Sequence, residues 1–215
     1  VLGHGSGSFG HVEGKRFDTR AGVRTPAGWR GFAEVQAAAA LLNRHVIDAA
    51  RAAGLPVLNC PPSASAVCED GRLVELAVEP IRAALEHGLV PVVQGDVAID
   101  TVRGGTIVST EDVFGYLAPR LKPSRILLAG RDAGVLSRWP DGHLVTDIVD
   151  GTAIQAGASQ ATDVTGGMVA KIHETLITLR SVPDLTALIF SGDVPGRVAA
   201  ALKGEAVVGT VLRSR

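Results

Sequence analysis

Cysteine, aromatic residues and any excess of one charge are scarce in this chain, and each shortage removes a class of function. Cys60 and Cys68 are the two thiols of the sequence. Their spacing matches no zinc pattern and no paired histidines lie nearby, so both read as reduced cysteines of a cytoplasmic protein. Aromatic residues make up 4% of the chain and the formal net charge is -1. That leaves neither the stacking surface nor the basic stripe that nucleic-acid or anionic-membrane binding uses. No apolar run approaches the roughly 20 residues that cross a bilayer, and the N-terminus carries no basic segment leading into an apolar one. A small-molecule partner and a cytoplasmic location are the expectation.

Glycine is plentiful, with 26 residues in a chain of 215 that is otherwise 46% hydrophobic and 20% charged. That balance is ordinary for a globular protein with a real core. Four glycines fall within eight residues in Gly3-His4-Gly5-Ser6-Gly7-Ser8-Phe9-Gly10-His11. Without Cβ atoms, consecutive N–H groups there can converge on an anion, and the run ends in a titratable imidazole. A glycine-rich turn after a strand accounts for the same residues without a ligand. A second such segment, Asp163-Val164-Thr165-Gly166-Gly167-Met168-Val169-Ala170-Lys171, ends in a lysine. Two amide-rich loops point to two phosphate-bearing ligands.

Helical periodicity runs from Gly31 to Ala53 and stops at Gly54, followed by a strand from Leu55 to Asn59 and a break at Pro61-Pro62-Ser63. A helix from Glu79 to His87 precedes a continuous apolar strand, Leu89 to Val93, then Gln94-Gly95-Asp96, a turn at Gly104-Gly105, an extended Thr106 to Ser109 and a helix from Glu111 to Leu121. Ile126 to Ala129 reads as a buried strand ending at Gly130-Arg131-Asp132, Trp139-Pro140-Asp141-Gly142 as a hairpin turn, and Leu144 to Ile148 as extended. A helix from Thr165 to Leu179, a strand from Ala187 to Phe190, a helix from Gly196 to Leu202 and a strand from Ala206 to Leu212 complete the chain. This alternation predicts an α/β fold with a mostly parallel sheet covered on both faces.

Ligands of such sheets sit beyond the carboxyl ends of the strands, where helix N-termini favour anions. Gly3 to His11, Gln94 to Asp96, Ser109 to Asp112 and Gly130 to Asp132 all have the pattern of a strand end, a glycine or polar residue, then a helix. No Gly-x-x-x-x-Gly-Lys-Ser/Thr loop occurs, and the first run lacks the acidic partner of a dinucleotide fingerprint.

His4 to His11, Gly95-Asp96-Val97, Ser109-Thr110-Glu111-Asp112-Val113 and Asp163 to Met168 with Lys171 follow one another in an order that resembles the amino acid kinase superfamily. Within it, the Gly-Ser-Phe-Gly-His ending is similar to the isopentenyl phosphate kinase branch, and the resemblance covers essentially the whole chain. It implies a three-layer αβα sandwich in one domain over residues 1–215, with about 1–120 as the acceptor-phosphate half and about 121–215 as the nucleotide half. It also implies a magnesium-dependent transferase that moves the γ-phosphoryl of ATP to isopentenyl phosphate in isoprene biosynthesis, working as a cytoplasmic homodimer. Because the acceptor is itself a phosphate, amide-rich loops and cations are needed on both sides.

By the same resemblance, His11 would hydrogen-bond the acceptor phosphate and select it over a carboxylate, an imidazole being able to carry a proton beside a dianion. A histidine capping the following helix is the plainer reading. Gly5, Ser6 and Gly7 would present amides to both phosphates, Gly95 and the Thr110 amide would meet the acceptor, and His4 would end its strand in a structural role. Lys171 would contact the β and γ phosphates beside the Gly166 and Gly167 amides, although a lysine one turn into a helix is commonly a solvated one. Gly130 and Asp132 match the nucleotide region, where Gly130-Arg131-Asp132-Ala133-Gly134 departs from the family's usual Thr-Asp-Val-Asp-Gly type. Glu111 stands where many relatives have Asp, a residue that orients catalytic lysines. Adjacent Asp112 is placed to substitute for it, and an acid favouring the helix N-terminus explains either. The family begins with a strand, a Gly-Gly-Ser loop and lysines upstream of the histidine loop. None stands before Val1, so the sequence is expected to be N-terminally incomplete.

Two other activities share these residues. A phosphonate kinase of the fosfomycin type has the same histidine loop, and a nucleotide-binding regulatory module uses the fold without turnover. A prenyl acceptor needs an apolar tunnel, for which Val35 to Leu58 supplies a candidate wall, whereas an amphipathic core helix explains the same residues.

Overall fold

The structure, a computed structural model, describes residues 1–5, 7–138, 141–150 and 167–214. The chain forms two compact units, Val1–Arg120 and Leu121–Arg215.

The first unit opens with β1 (Leu2–His4), α1 (Gly7–Phe17) and α2 (Pro26–Ala52). The glycine run, read as a loop from the sequence, is already helical at Gly7, whose φ is +51°. Glycines lower the helix propensity of this segment, and packing against α2 overrides them. The two helices approach closely because Gly31 of α2 has no Cβ, which would otherwise collide with the ring of Phe17. α2 begins before Gly31 because Thr25 caps it. The Thr25 hydroxyl accepts from the Gly28 N–H at 3.0 Å, and Pro26 stands at the first helical position, where no N–H is needed.

The chain continues through β2 (Val57–Asn59), β3 (Val67–Glu69), β4 (Arg72–Glu75), α3 (Glu79–Glu86), β5 (Val90–Gln94), β6 (Asp96–Asp100), β7 (Gly104–Val108) and α4 (Thr110–Leu121). The sequence reading had not resolved the β3–β4 hairpin, whose turn is Asp70-Gly71 with both φ angles positive, nor β6, which follows β5 across Gly95 with no helix between. One sheet has the order β1-β5-β2, all parallel; the other has the order β4-β3-β6-β7. The faces of the first sheet are fixed by adjacent residues. The His4 ring reaches Asn43 on α2, whereas a Cβ on Gly3 would fall 2.5 Å from the Phe114 ring of α4. Helices α2 and α4 therefore cover opposite faces, giving this unit three layers.

The second unit contains β8 (Arg125–Gly130), β9 (Val135–Leu136), β10 (Leu144–Val145), β11 (Asp147–Val149), α5 (Gly167–Arg180), β12 (Thr186–Ser191), α6 (Arg197–Lys203) and β13 (Gly209–Arg213). Its sheet order is β11-β13-β12-β8, with β8 and β12 parallel, and β9 pairs with β10 as a hairpin. Trp139 and Pro140 of the predicted turn lie outside the described residues, as do Asp163 to Gly166. β8 stands at one end of the order and is half-buried, whereas β12 carries Ile189 and the fully buried Phe190. Both units are α/β with parallel pairing prominent, as the alternation of elements predicts.

Candidate functional site

The carboxyl end of β1 is where the first unit gathers its sequence-predicted residues. His4 lies beside Gln94 in register, and its carbonyl accepts from the Gly95 N–H at 3.3 Å and from the Thr110 hydroxyl at 2.6 Å. The start of α4 is thereby tied to the end of β1, and α1 starts three residues beyond the same point. Each helix start has N–H groups without intrahelical acceptors, so two positive helix termini adjoin one strand end. At Gly5 an added Cβ would meet nothing within 4 Å, so the chain there is open to a ligand. The local chemistry is that of an anion cradle.

The structure brings Gly5, Gly7, Gly95 and Thr110 to this end of the sheet, and His11 follows one turn into α1. Ser6 and the side chain of His11 lie outside the described residues. Thr110 is nearly buried and its hydroxyl is engaged with His4. Glu111 stands in the first turn of α4, half-buried. Asp112 caps the same helix start. Its Oδ2 accepts from the Ser109 N–H and hydroxyl, both at 2.7 Å, while Ser109 Oγ accepts from the Asp112 N–H at 3.0 Å. This reciprocal cap holds the helix start.

Beneath the cradle is a polar layer that sequence reasoning missed. His4 Nε2 lies 3.0 Å from Asn43 Oδ1, Asn43 Nδ2 donates to Asn59 Oδ1 at 2.8 Å, and His4 Nδ1 lies 3.0 Å from the Gly5 carbonyl. Asn43 is 3% exposed on a face of α2 otherwise made of Val35, Ala39 and Ala50. An asparagine at a core position of an amphipathic helix was the available signal. Val35, Ala39 and Ala50 on that face are buried, while Leu41, Leu55 and Leu58 of the same stretch are exposed.

Asp96, buried at the start of β6, accepts from the Ser63 and Val97 N–H groups at 3.1 and 2.9 Å. Burial pushes its carboxyl above the ordinary aspartate range, with these donors and the Ser63 side chain opposing. At the far end of β6, Asp100 accepts from the N–H groups of Asp70, Gly71, Val102 and Arg103. Burial pushes this carboxyl up as well, and the four donors together outweigh it, so its pKa is lowered. Cys68 beside it is fully buried, and desolvation, with Asp100 and Asp112 adding to it against Arg103, raises the thiol to about 11. Such a thiol is inert.

In the second unit the ends of the parallel strands β8 and β12 stand side by side, Gly130 in register with Ser191. The Gly192 N–H donates to the Gly130 carbonyl at 2.8 Å, and Gly130 has open space where a side chain would be. Half-buried Asp132 follows in the bend after β8. The Ser191-Gly192-Asp193-Val194-Pro195-Gly196 loop is thus the neighbour of the predicted Gly130–Asp132 segment, and its polar, glycine-rich composition after an apolar strand was the signal for it. Gly167, with φ +68°, opens α5, and Lys171 is one turn in and half-buried. Gly166 lies outside the described residues.

A model of the amino acid kinase family matches residues 1–191, and this chain belongs to that family. The isopentenyl phosphate kinase of Methanothermobacter thermautotrophicus is 34% identical to it over 98% of this chain and 82% of that protein. The isopentenyl phosphate kinase of Methanocaldococcus jannaschii is 31% identical over 98% of this chain and 79% of that protein. A crystal structure of an isopentenyl phosphate kinase superposes with a TM-score of 0.83 at 32% identity, covering 98% of this chain and 82% of that one.

Proposed function

We propose that this chain is an ATP-dependent kinase that phosphorylates isopentenyl phosphate to isopentenyl diphosphate. The observation that carries the reading is the β1-end cradle, where Gly5, Gly95 and the Thr110 amide adjoin two helix N-termini, in a chain 34% identical to an isopentenyl phosphate kinase along nearly its whole length. The bond from the γ-phosphorus of ATP to its bridging oxygen breaks, a bond forms to a phosphate oxygen of the acceptor, and ADP leaves. The transferring group carries its charge on peripheral oxygens, so catalysis consists of positioning and charge stabilisation.

In this reading residues 1–120 bind the acceptor and residues 121–215 the nucleotide. His11 donates to the acceptor phosphate, selecting it over a carboxylate, and Gly5, Ser6 and Gly7 hold phosphate oxygens through their amides, with Gly7 serving both substrates. Lys171, Gly166, Gly167 and Asp132 serve ATP, and Glu111 orients cationic side chains. Among the described residues no three His, Cys, Asp or Glu side chains cluster as a metal cage requires. Mg²⁺ enters the proposal as the companion of the ATP phosphates. No helix among the described residues is long and apolar enough to cross a membrane. The proposal includes a cytoplasmic location, supported by the unpaired cysteines, and a homodimer, supported by the family resemblance.

Phosphorus NMR of reactions containing ATP and either isopentenyl phosphate or fosfomycin tests the substrate. Isopentenyl phosphate is expected to give a diphosphate, with kcat/KM at least about tenfold above that for the phosphonate. The reverse preference would make the protein a phosphonate kinase, and ATP binding without turnover of either would favour a regulatory module.

A further inference from the structure

Gln94 is 1% exposed, and neither its amide oxygen nor its amide nitrogen has a hydrogen-bond partner among the described residues. A buried amide left so costs about 1–3 kcal/mol for each unsatisfied group, which makes the position an expensive one for a residue whose only task is to fill space. Its place narrows the reason. Gln94 is in register with His4 on the parallel neighbour β1, so the two side chains project from the same face of the sheet. Asn59 of β2 is in register with Val92, two residues before Gln94, and shares that face. The face is the one covered by α2, because the His4 ring and the Asn59 amide both bond Asn43. Four polar side chains from three strands and one helix are thus collected directly under the β1-end cradle. Asn43 uses one N–H and one lone pair on His4 and Asn59, which leaves one of each for a further partner.

We propose that Gln94 is a positioning residue for the acceptor-phosphate loop: with one buried water it completes a polar relay through His4, Asn43 and Asn59 that fixes the backbone of His4 and Gly5, where the loop begins. The proposal rests on the reading of that loop as the acceptor site. The route to the loop is short. Gln94 precedes Gly95, whose N–H is held by the His4 carbonyl, the same carbonyl that receives the Thr110 hydroxyl. The His4 ring also lies against the first residue of the loop, with Nδ1 3.0 Å from the Gly5 carbonyl. The guest has to be small, because the amide is sealed from solvent. It also has to both donate and accept, because Gln94 presents both kinds of group, and water meets both conditions.

The Gln94→Met variant of the full chain removes the amide at nearly constant volume. It is expected to melt at or above the wild-type temperature, to raise KM for isopentenyl phosphate about tenfold, and to leave KM for ATP within about twofold. Asn43→Ala, which cuts the relay on the helix side, is expected to show the same split. The double variant should add little to the larger single effect, because both act on one network. Amide hydrogen exchange supplies a readout independent of the substrate: exchange from Gly5 to Gly10 should quicken in Gln94→Met with no fall in melting temperature. An unchanged acceptor KM in an enzyme that turns over isopentenyl phosphate, or KM values for both substrates raised alike, would overturn the relay. So would unchanged exchange of the loop. A Gln94→Met protein that melts well below wild type, or does not fold, would also overturn it, since the amide would then hold the core together rather than position the loop. Wild-type protein that does not phosphorylate isopentenyl phosphate would sink the acceptor reading instead, and the exchange measurement would still decide the relay.

Discussion

Two buried aspartates at the ends of one strand show how little residue type alone says about electrostatics. Asp96 and Asp100 bound β6 and are 1% and 2% exposed, yet their carboxyl pKa values move in opposite directions. For Asp96 desolvation dominates. For Asp100 desolvation is overcome by backbone donors from the β3–β4 turn and its own loop. The consequences for stability are opposite too. Asp96 binds its proton more tightly folded than unfolded, so its contribution falls as pH rises from the ordinary aspartate value through the raised one. Asp100 contributes stability that is complete above the ordinary value and is lost as pH falls through the lowered one. Asp100→Asn should therefore destabilise the protein by about 1–3 kcal/mol near neutral pH, with the difference from wild type shrinking on acidification in urea titrations run at several pH values. A constant difference across the acid range would contradict this reading. Neither direction was legible in the sequence, because that of Asp96 depends on how deeply tertiary packing buries it and that of Asp100 on donors that include two 29 and 30 positions away along the chain.

Among the elements, those with strong periodicity or clear punctuation could be read in advance, and those made by tertiary contact could not. The end of α2 at Gly54, the apolar strand β5 and the α4 helix are local facts of sequence. α1 is not: its glycines argue against a helix, and it exists because it lies on α2 over Gly31. β6 was hidden because Gln94-Gly95-Asp96 looks like a strand end, whereas Gly95 only bends the chain between two strands. The candidate site divides along the same line. Gly5, Gly7 and Thr110 stood out by type and spacing, but Gln94, Asn43 and Asn59 become visible only when the sheet register is known. Gly31→Ala tests the origin of α1 directly. The new methyl would meet Phe17, so the variant should lose roughly 1–3 kcal/mol and bind the acceptor more weakly, because α1 carries His11. Unaltered denaturant unfolding together with unaltered acceptor KM would show that α1 does not depend on this contact.

At the scale of the whole molecule, the chain belongs to the amino acid kinase family, and its two compact units are the places where two phosphate-bearing substrates are proposed to bind. In each unit, parallel strands end in glycine-bearing loops, at Gly5 and Gly95 in one and at Gly130 and Gly192 in the other. That repetition follows from the fold class, since parallel strands followed by helices create anion sites at one end. The specificity for a phosphate acceptor does not follow from the fold and is proposed to rest on His11. The most direct measurement is steady-state kinetics of wild-type and His11→Ala protein with ATP and isopentenyl phosphate. The predicted result is a fall in kcat/KM for isopentenyl phosphate of about a hundredfold or more, with KM for ATP nearly unchanged. Equal kcat/KM in the two proteins would contradict the assignment of the acceptor phosphate to this loop.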